Sequence, residues 1–106
     1  MAERVAVIWT EPALEDLDII ADYIALDNQQ AAMKLVEKIF SAVERLARFP
    51  NLGRKVPELP TLPYREVIVS PCRVLYRVES KKIFIVMVTR GEQLMEEHRL
   101  WRWSEN

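Results

Sequence analysis

Apolar positions along this chain change their period several times, and each change marks an element. Val5 to Trp9 is a nearly continuous apolar run, which predicts a short strand buried on both faces. Thr10-Glu11-Pro12 stops it, because Thr10 or Glu11 can accept from the free N–H groups of a helix and proline is tolerated in a first turn. Leu14, Leu17, Ile20, Ala21 and Ile24 then recur at helical spacing, with Glu11, Glu15, Asp16, Asp18 and Asp22 assigned to the outer face. Acid near a helix N-terminus is favoured by the macrodipole, by about 0.3–1 kcal/mol per group.

Asp27-Asn28-Gln29 breaks that helix and offers a cap for a second one. Ala32, Leu35, Val36, Ile39, Val43 and Leu46 mark its apolar stripe, while Lys34, Lys38, Arg45 and Arg48 share the outer face. Pro50 ends it. So short a connection predicts that the two helices run antiparallel. Residues 50–63 hold four prolines and one glycine and read as a stiff loop, which either crosses plainly to the sheet or carries function.

Three runs rich in β-branched and aromatic residues follow, at about 64–70, 73–79 and 82–90, separated by Ser70-Pro71-Cys72 and Ser80-Lys81. They predict an antiparallel meander. Gly91 closes the last run, and Glu92 to Trp103 is polar with scattered Leu and Trp, compatible with a short helix. The resulting order is β-α-α-β-β-β. It predicts one α+β domain over residues 1–106, with an antiparallel helical hairpin packed on a small, mostly antiparallel sheet.

Composition narrows the function classes. The apolar fraction of 50% and charged fraction of 29% suit a soluble globular chain, and no apolar run approaches the roughly 20 residues of a membrane helix. Met1-Ala2-Glu3-Arg4 shows no secretion-signal pattern, and Cys72 is the only cysteine, so a reducing cytoplasm is expected. One Cys and one His give no metal-ligand spacing, and neither a metal nor a cofactor is expected. Net charge is −1, but residues 1–53 carry five Lys/Arg against nine Asp/Glu, and residues 54–106 carry ten against seven. An anionic partner would therefore meet the second half, although extensive phosphate binding favours a chain that is basic overall.

Arginines at Arg65, Arg73, Arg77 and Arg90 fall in or at the ends of strands, where each must be paired, exposed or kept for an anionic partner. Arg73 and Arg77 share one face of their strand, and Glu66 or Glu79 could pair with them, so a structural ion pair competes with target binding. Arg65 has the opposite parity to Glu66 and could meet the acidic hairpin or the loop. His98 is the one side chain whose unperturbed pKa, about 6.5, suits proton transfer. Trp101 and Trp103, flanking Arg102, are apolar surface that packs back or docks a partner.

The ordered set Trp9-Thr10, Ala13, Asp16-Leu17, Ile20, Tyr23-Ile24, Phe49-Pro50, Gly53-Arg54, Tyr64-Arg65, Arg73 to Val78 and Val88-Thr89-Arg90 resembles the RelE/ParE superfamily of bacterial toxins. These are the toxic halves of type II toxin–antitoxin operons, and the likeness spans about residues 5–95. The resemblance implies a cognate antitoxin protein as partner, with operator DNA reached only through that antitoxin. It leaves two activities open. RelE-like members cut messenger RNA on the ribosome with lysines and arginines on the sheet face and commonly a Tyr or His near the C-terminus. ParE-like members poison DNA gyrase and lack those residues.

Here the second strand ends Val67-Ile68-Val69-Ser70, where such nucleases place an arginine, and no tyrosine follows Arg90. This favours the ParE-like branch, with Arg73, Arg77, Arg90, Trp101 and Trp103 as candidate target contacts. A nuclease would need a shifted site built on Arg65, Arg90 and His98. A third reading is a non-toxic chain kept as co-repressor with its antitoxin. For the antitoxin itself, the wide stripe of Leu35, Val36, Ile39, Phe40 and Val43 is the expected docking surface.

Overall fold

The computed structural model describes residues 4–90. Its elements are β1 (Ala6–Trp9), α1 (Glu11–Ala25), α2 (Gln29–Leu46), β2 (Arg54–Lys55), β3 (Arg65–Val69), β4 (Cys72–Glu79) and β5 (Lys82–Arg90). The five strands form one sheet in the order β1-β5-β4-β3-β2. β1 pairs with β5 in parallel, and the remaining pairs are antiparallel. The α+β architecture read from periodicity holds, with one strand added. The proline-rich segment contains β2, which pairs Arg54 with Glu66 and Lys55 with Arg65.

β1 is not buried on both faces. It lies at the sheet edge with Ala6 and Ile8 exposed, because the order of pairing puts it outside β5. Thr10 ties the end of β1 to the start of α1. Its backbone N–H and its hydroxyl both donate to the Ile85 carbonyl, at 3.1 and 2.8 Å, while its Oγ1 accepts the Ala13 N–H at 3.4 Å as the cap of α1. Asn28 caps α2 in the same way, accepting from the Ala31 N–H at 3.0 Å.

The outer-face assignment of α1 needs two corrections. Leu14 is 40% exposed, whereas Asp16 is buried among Ala13, Leu17 and Ile20. The carboxylate of Asp16 accepts the Val88 N–H of β5 at 3.2 Å, an inward role that apolar spacing cannot reveal.

A bulge in β5 decides which side chains face the helices. The β4–β5 register passes from Leu75↔Met87 to Tyr76↔Ile85, leaving Val86 as the extra residue. Ile83, Ile85 and Val88 therefore join Leu17, Leu35, Ile39, Val43, Val74 and Tyr76 in the core beneath the helices. Val86 and Met87 turn to the other face and meet Val56, Leu59, Tyr64 and Leu75 in a second core. The segment from Val56 to Leu62 packs on that second core, so the stiff loop covers the outer face of the sheet around Leu75, Val86 and Met87.

Candidate functional site

The cations expected to act together are separated by the sheet. Arg65 pairs with Tyr76 and Arg90 pairs with Cys72, at positions four residues apart along β4. At roughly 3.3 Å per residue that is about 13 Å along the strand, with β4 itself lying between them. Their guanidinium groups are directed to different neighbours, the Gly53 carbonyl for Arg65 and the Tyr23 ring for Arg90. Arg65 is half-buried and donates from Nη1 to the Gly53 carbonyl at 2.8 Å. The Arg90 guanidinium stands 5.2 Å from the ring centroid of Tyr23 on α1. His98, Trp101 and Trp103 lie outside the described residues. The shifted nuclease site of Arg65, Arg90 and His98 is thus not assembled by its two described members.

Arg73, expected among target contacts, is instead a structural residue. Its side chain is buried, with Nε donating to Glu66 Oε1 at 2.7 Å and Nη1 and Nη2 gripping both oxygens of Glu58 at 2.6 and 2.7 Å. The other oxygen of the fully buried Glu66 accepts from Arg54 Nε at 2.7 Å. Four alternating charges close this network, and its hydrogen bonds satisfy the buried carboxylate that would otherwise be costly. The hydrogen bonds from Arg73 pull the Glu58 carboxyl down to about 2. Arg77 remains half-exposed, with Nε 3.2 Å from Glu79 Oε2 and its guanidinium 6.0 Å from the Tyr64 ring centroid.

The expected antitoxin stripe also divides. Leu35, Ile39 and Val43 are buried against the sheet, so they hold the fold and cannot meet a partner. Val36 is half-buried and Phe40 is 43% exposed, its ring 5.0 Å from that of Trp9 on β1. A groove of about 360 Å³ runs between the helices, lined by Ala21, Ala25, Ala32, Met33 and Val36. Periodicity alone presents the stripe as one surface, because adjacent positions around a helix blur the boundary between the buried arc and its flank.

Sequence reasoning missed the turn that comes after α2. Tyr76 on β4 is fully buried, and its hydroxyl donates to the Pro50 carbonyl and accepts the Gly53 N–H, both at 2.8 Å. Burial pushes the Tyr76 phenol above its ordinary pKa, which keeps it a donor. A Cβ on Gly53 would come within 2.6 Å of the Glu66 carbonyl and 2.7 Å of the Tyr76 hydroxyl. The pair Phe49-Pro50 and Gly53-Arg54 was the available signal, and this geometry is its physical meaning.

The family whose pattern this chain matches, over residues 7–95, is described as ParE toxin of type II toxin-antitoxin system, parDE. The chain belongs to the ParE toxin family. It is 35% identical over 89 residues to "Toxin RelE2" of Caulobacter vibrioides, covering 83% of this chain and 97% of that protein. It is 34% identical to "Toxin ParE3" of the same organism, over 80% of this chain and 85% of the relative. A solved structure titled "Chromosomal ParDE TA system from P. aeruginosa" matches with a TM-score of 0.71 at 30% identity, covering 84% of this chain and 98% of the other. The toxin-antitoxin complex RelBE2 from Mycobacterium tuberculosis matches with a TM-score of 0.56 at 20% identity, covering 85% and 94%, and shares the fold. Among the described residues of this ParE-family toxin, no helix is long and apolar enough to cross a membrane.

Proposed function

We propose that this toxin stops growth by binding DNA gyrase and is neutralised by an antitoxin that covers the helical hairpin. The observation that carries the first part is the dispersal of the sheet cations: Arg65 and Arg90 lie on opposite flanks of β4, four residues apart along it, and Arg73 is consumed by Glu58 and Glu66. Metal-free RNA cleavage needs a base, an acid and charge stabilisation around one phosphate. Inhibition by binding needs only contact and complementarity.

The antitoxin reading rests on surface that the core leaves over. Phe40, Trp9 and the groove beside Val36 and Met33 offer apolar anchors, and β1, the edge strand of the sheet among the described residues, is a place that an extended segment can join. The P. aeruginosa neighbour is itself titled a ParDE toxin–antitoxin system.

A supercoiling assay with purified gyrase, beside a cell-free translation assay with primer extension, tests the target. The expected result is blocked supercoiling with intact messages and undiminished toxicity in His98→Ala. Cut messages in the parent, with toxicity abolished by His98→Ala, would replace this reading with the ribonuclease.

A further inference from the structure

We infer that the turn after α2 is a rigid docking corner for an acidic, amphipathic segment of the toxin's target protein. The inference rests on the reading that the toxin acts by binding. Phe49 and Leu52 stand 60% and 54% exposed on this turn, large apolar side chains that a free surface gains nothing by displaying. Arg45, one turn before Phe49 in the last turn of α2, and Arg48, the residue immediately before Phe49, are exposed beside this turn. Lys55 and Arg65 stand directly opposite each other in the β2–β3 ladder, so both project from the sheet face on which α2 ends.

Two features make this more than a chance patch. Like charges directly opposite in a ladder are destabilising, yet Lys55 faces Arg65, and among the described residues none of Arg45, Arg48 and Lys55 is ion-paired. The turn is also fixed from below by the Tyr76 hydroxyl, by the Arg65 bond to the Gly53 carbonyl, and by the lack of room at Gly53. The backbone that presents Phe49 and Leu52 is therefore fixed before any partner arrives, which lowers the ordering cost of binding.

The chemistry selects the occupant. Two apolar anchors ringed by cations match carboxylates flanking apolar side chains on a polypeptide. Nucleic acid fits less well, because Leu52 offers no ring for a base to stack on and the chain as a whole carries a net charge of −1.

The test compares Phe49→Ser, Leu52→Ser and the double variant Arg48→Glu/Lys55→Glu with the parent. Readouts are thermal midpoint, affinity for the purified antitoxin, inhibition of purified gyrase, and growth arrest. The charge variant touches no packed atom, so it reports even if an apolar variant folds poorly. Expected are midpoints no lower than the parent's, with the charge variant unchanged or raised because Lys55→Glu sets opposite charges across the ladder from Arg65. Antitoxin affinity should stay within about twofold, with inhibition and growth arrest weakened at least about tenfold, as for loss of a buried anchor. Full inhibition of gyrase by the folded variants would overturn the corner while leaving the gyrase reading intact. If the parent does not inhibit gyrase, growth arrest decides: its loss in the variants sustains the corner while the gyrase reading falls, and its persistence removes both. A parallel loss of antitoxin affinity would overturn the proposal by making this the antitoxin's surface. RNA or DNA binding lost in the variants, with steep salt dependence, would overturn it in favour of nucleic acid.

Discussion

Tyr76 and Gly53, on β4 and in the turn after α2, are joined by a buried 2.8 Å hydrogen bond in which the glycine N–H donates to the phenol oxygen. The same hydroxyl donates to Pro50, so one side chain closes the end of the helical hairpin onto the middle of the sheet. Tyr76→Phe should cost about 1–3 kcal/mol in urea denaturation, because it strands a buried N–H and a carbonyl. Gly53→Ala should cost at least as much, since the atoms its Cβ would strike include backbone. If both variants match the parent, the turn is not held from below.

Asp16 performs a similar task from α1 by accepting the Val88 N–H beside the β5 bulge. Asp16→Ala should lower stability by about 1–3 kcal/mol. Glu15→Ala, one residue earlier on the exposed face, should stay within about 0.5 kcal/mol. Equal effects at the two positions would refute the inward role of Asp16.

The division of the α2 stripe predicts opposite phenotypes one residue apart. Ile39→Ala should cost about 2–5 kcal/mol by opening a cavity under the helix. Phe40→Ala should leave most of that stability and weaken antitoxin binding instead, read by calorimetric titration. Should Phe40→Ala bind antitoxin as tightly as the parent, the antitoxin lies elsewhere.

Acid should expose the Glu58–Arg73 contact. Hydrogen bonds from Arg73 hold the Glu58 pKa at about 2 in the folded chain against an ordinary 4.5. A depressed folded-state pKa means that the stabilisation is complete above about pH 4.5 and is lost as pH falls toward 2. Glu58 is 37% exposed, so solvent screening holds the contribution to about 1 kcal/mol. Glu58→Gln should lose it at neutral pH and flatten the acid limb of the stability profile. Removing the fully buried partner, Glu66→Ala, should cost more, about 3–5 kcal/mol, because Arg73 then loses its buried counter-charge. A Glu58→Gln profile that parallels the parent's below pH 4.5 would count against the pair.

The helices and the meander were legible in the chain because they depend on neighbours in sequence. Leu17, Ile20, Leu35, Ile39 and Val43 repeat at helical spacing, and the strands from Tyr64 to Arg90 are β-branched runs between short breaks. The landmarks Phe49-Pro50 and Gly53-Arg54 also marked the right place. Their reason lay in Tyr76, more than twenty residues away, and no local pattern points there.

The order of the helices and the longer strands, and the family, are thus properties of the chain alone, since both are set by local period and spaced residue types, whereas the two-residue β2 exists only through its pairing with β3. Which charges are spent and which are displayed is a property of the folded molecule. The bulge at Val86 reverses the parity of β5, sending Val88 rather than Met87 into the core beneath the helices and carrying Arg90 to the side of Tyr23. The pairing of β2 with β3 brings Arg54 to Glu66 and sets Lys55 against Arg65. Both outcomes depend on hydrogen-bond register between distant segments, and a shift of one residue in register moves every following side chain to the opposite face.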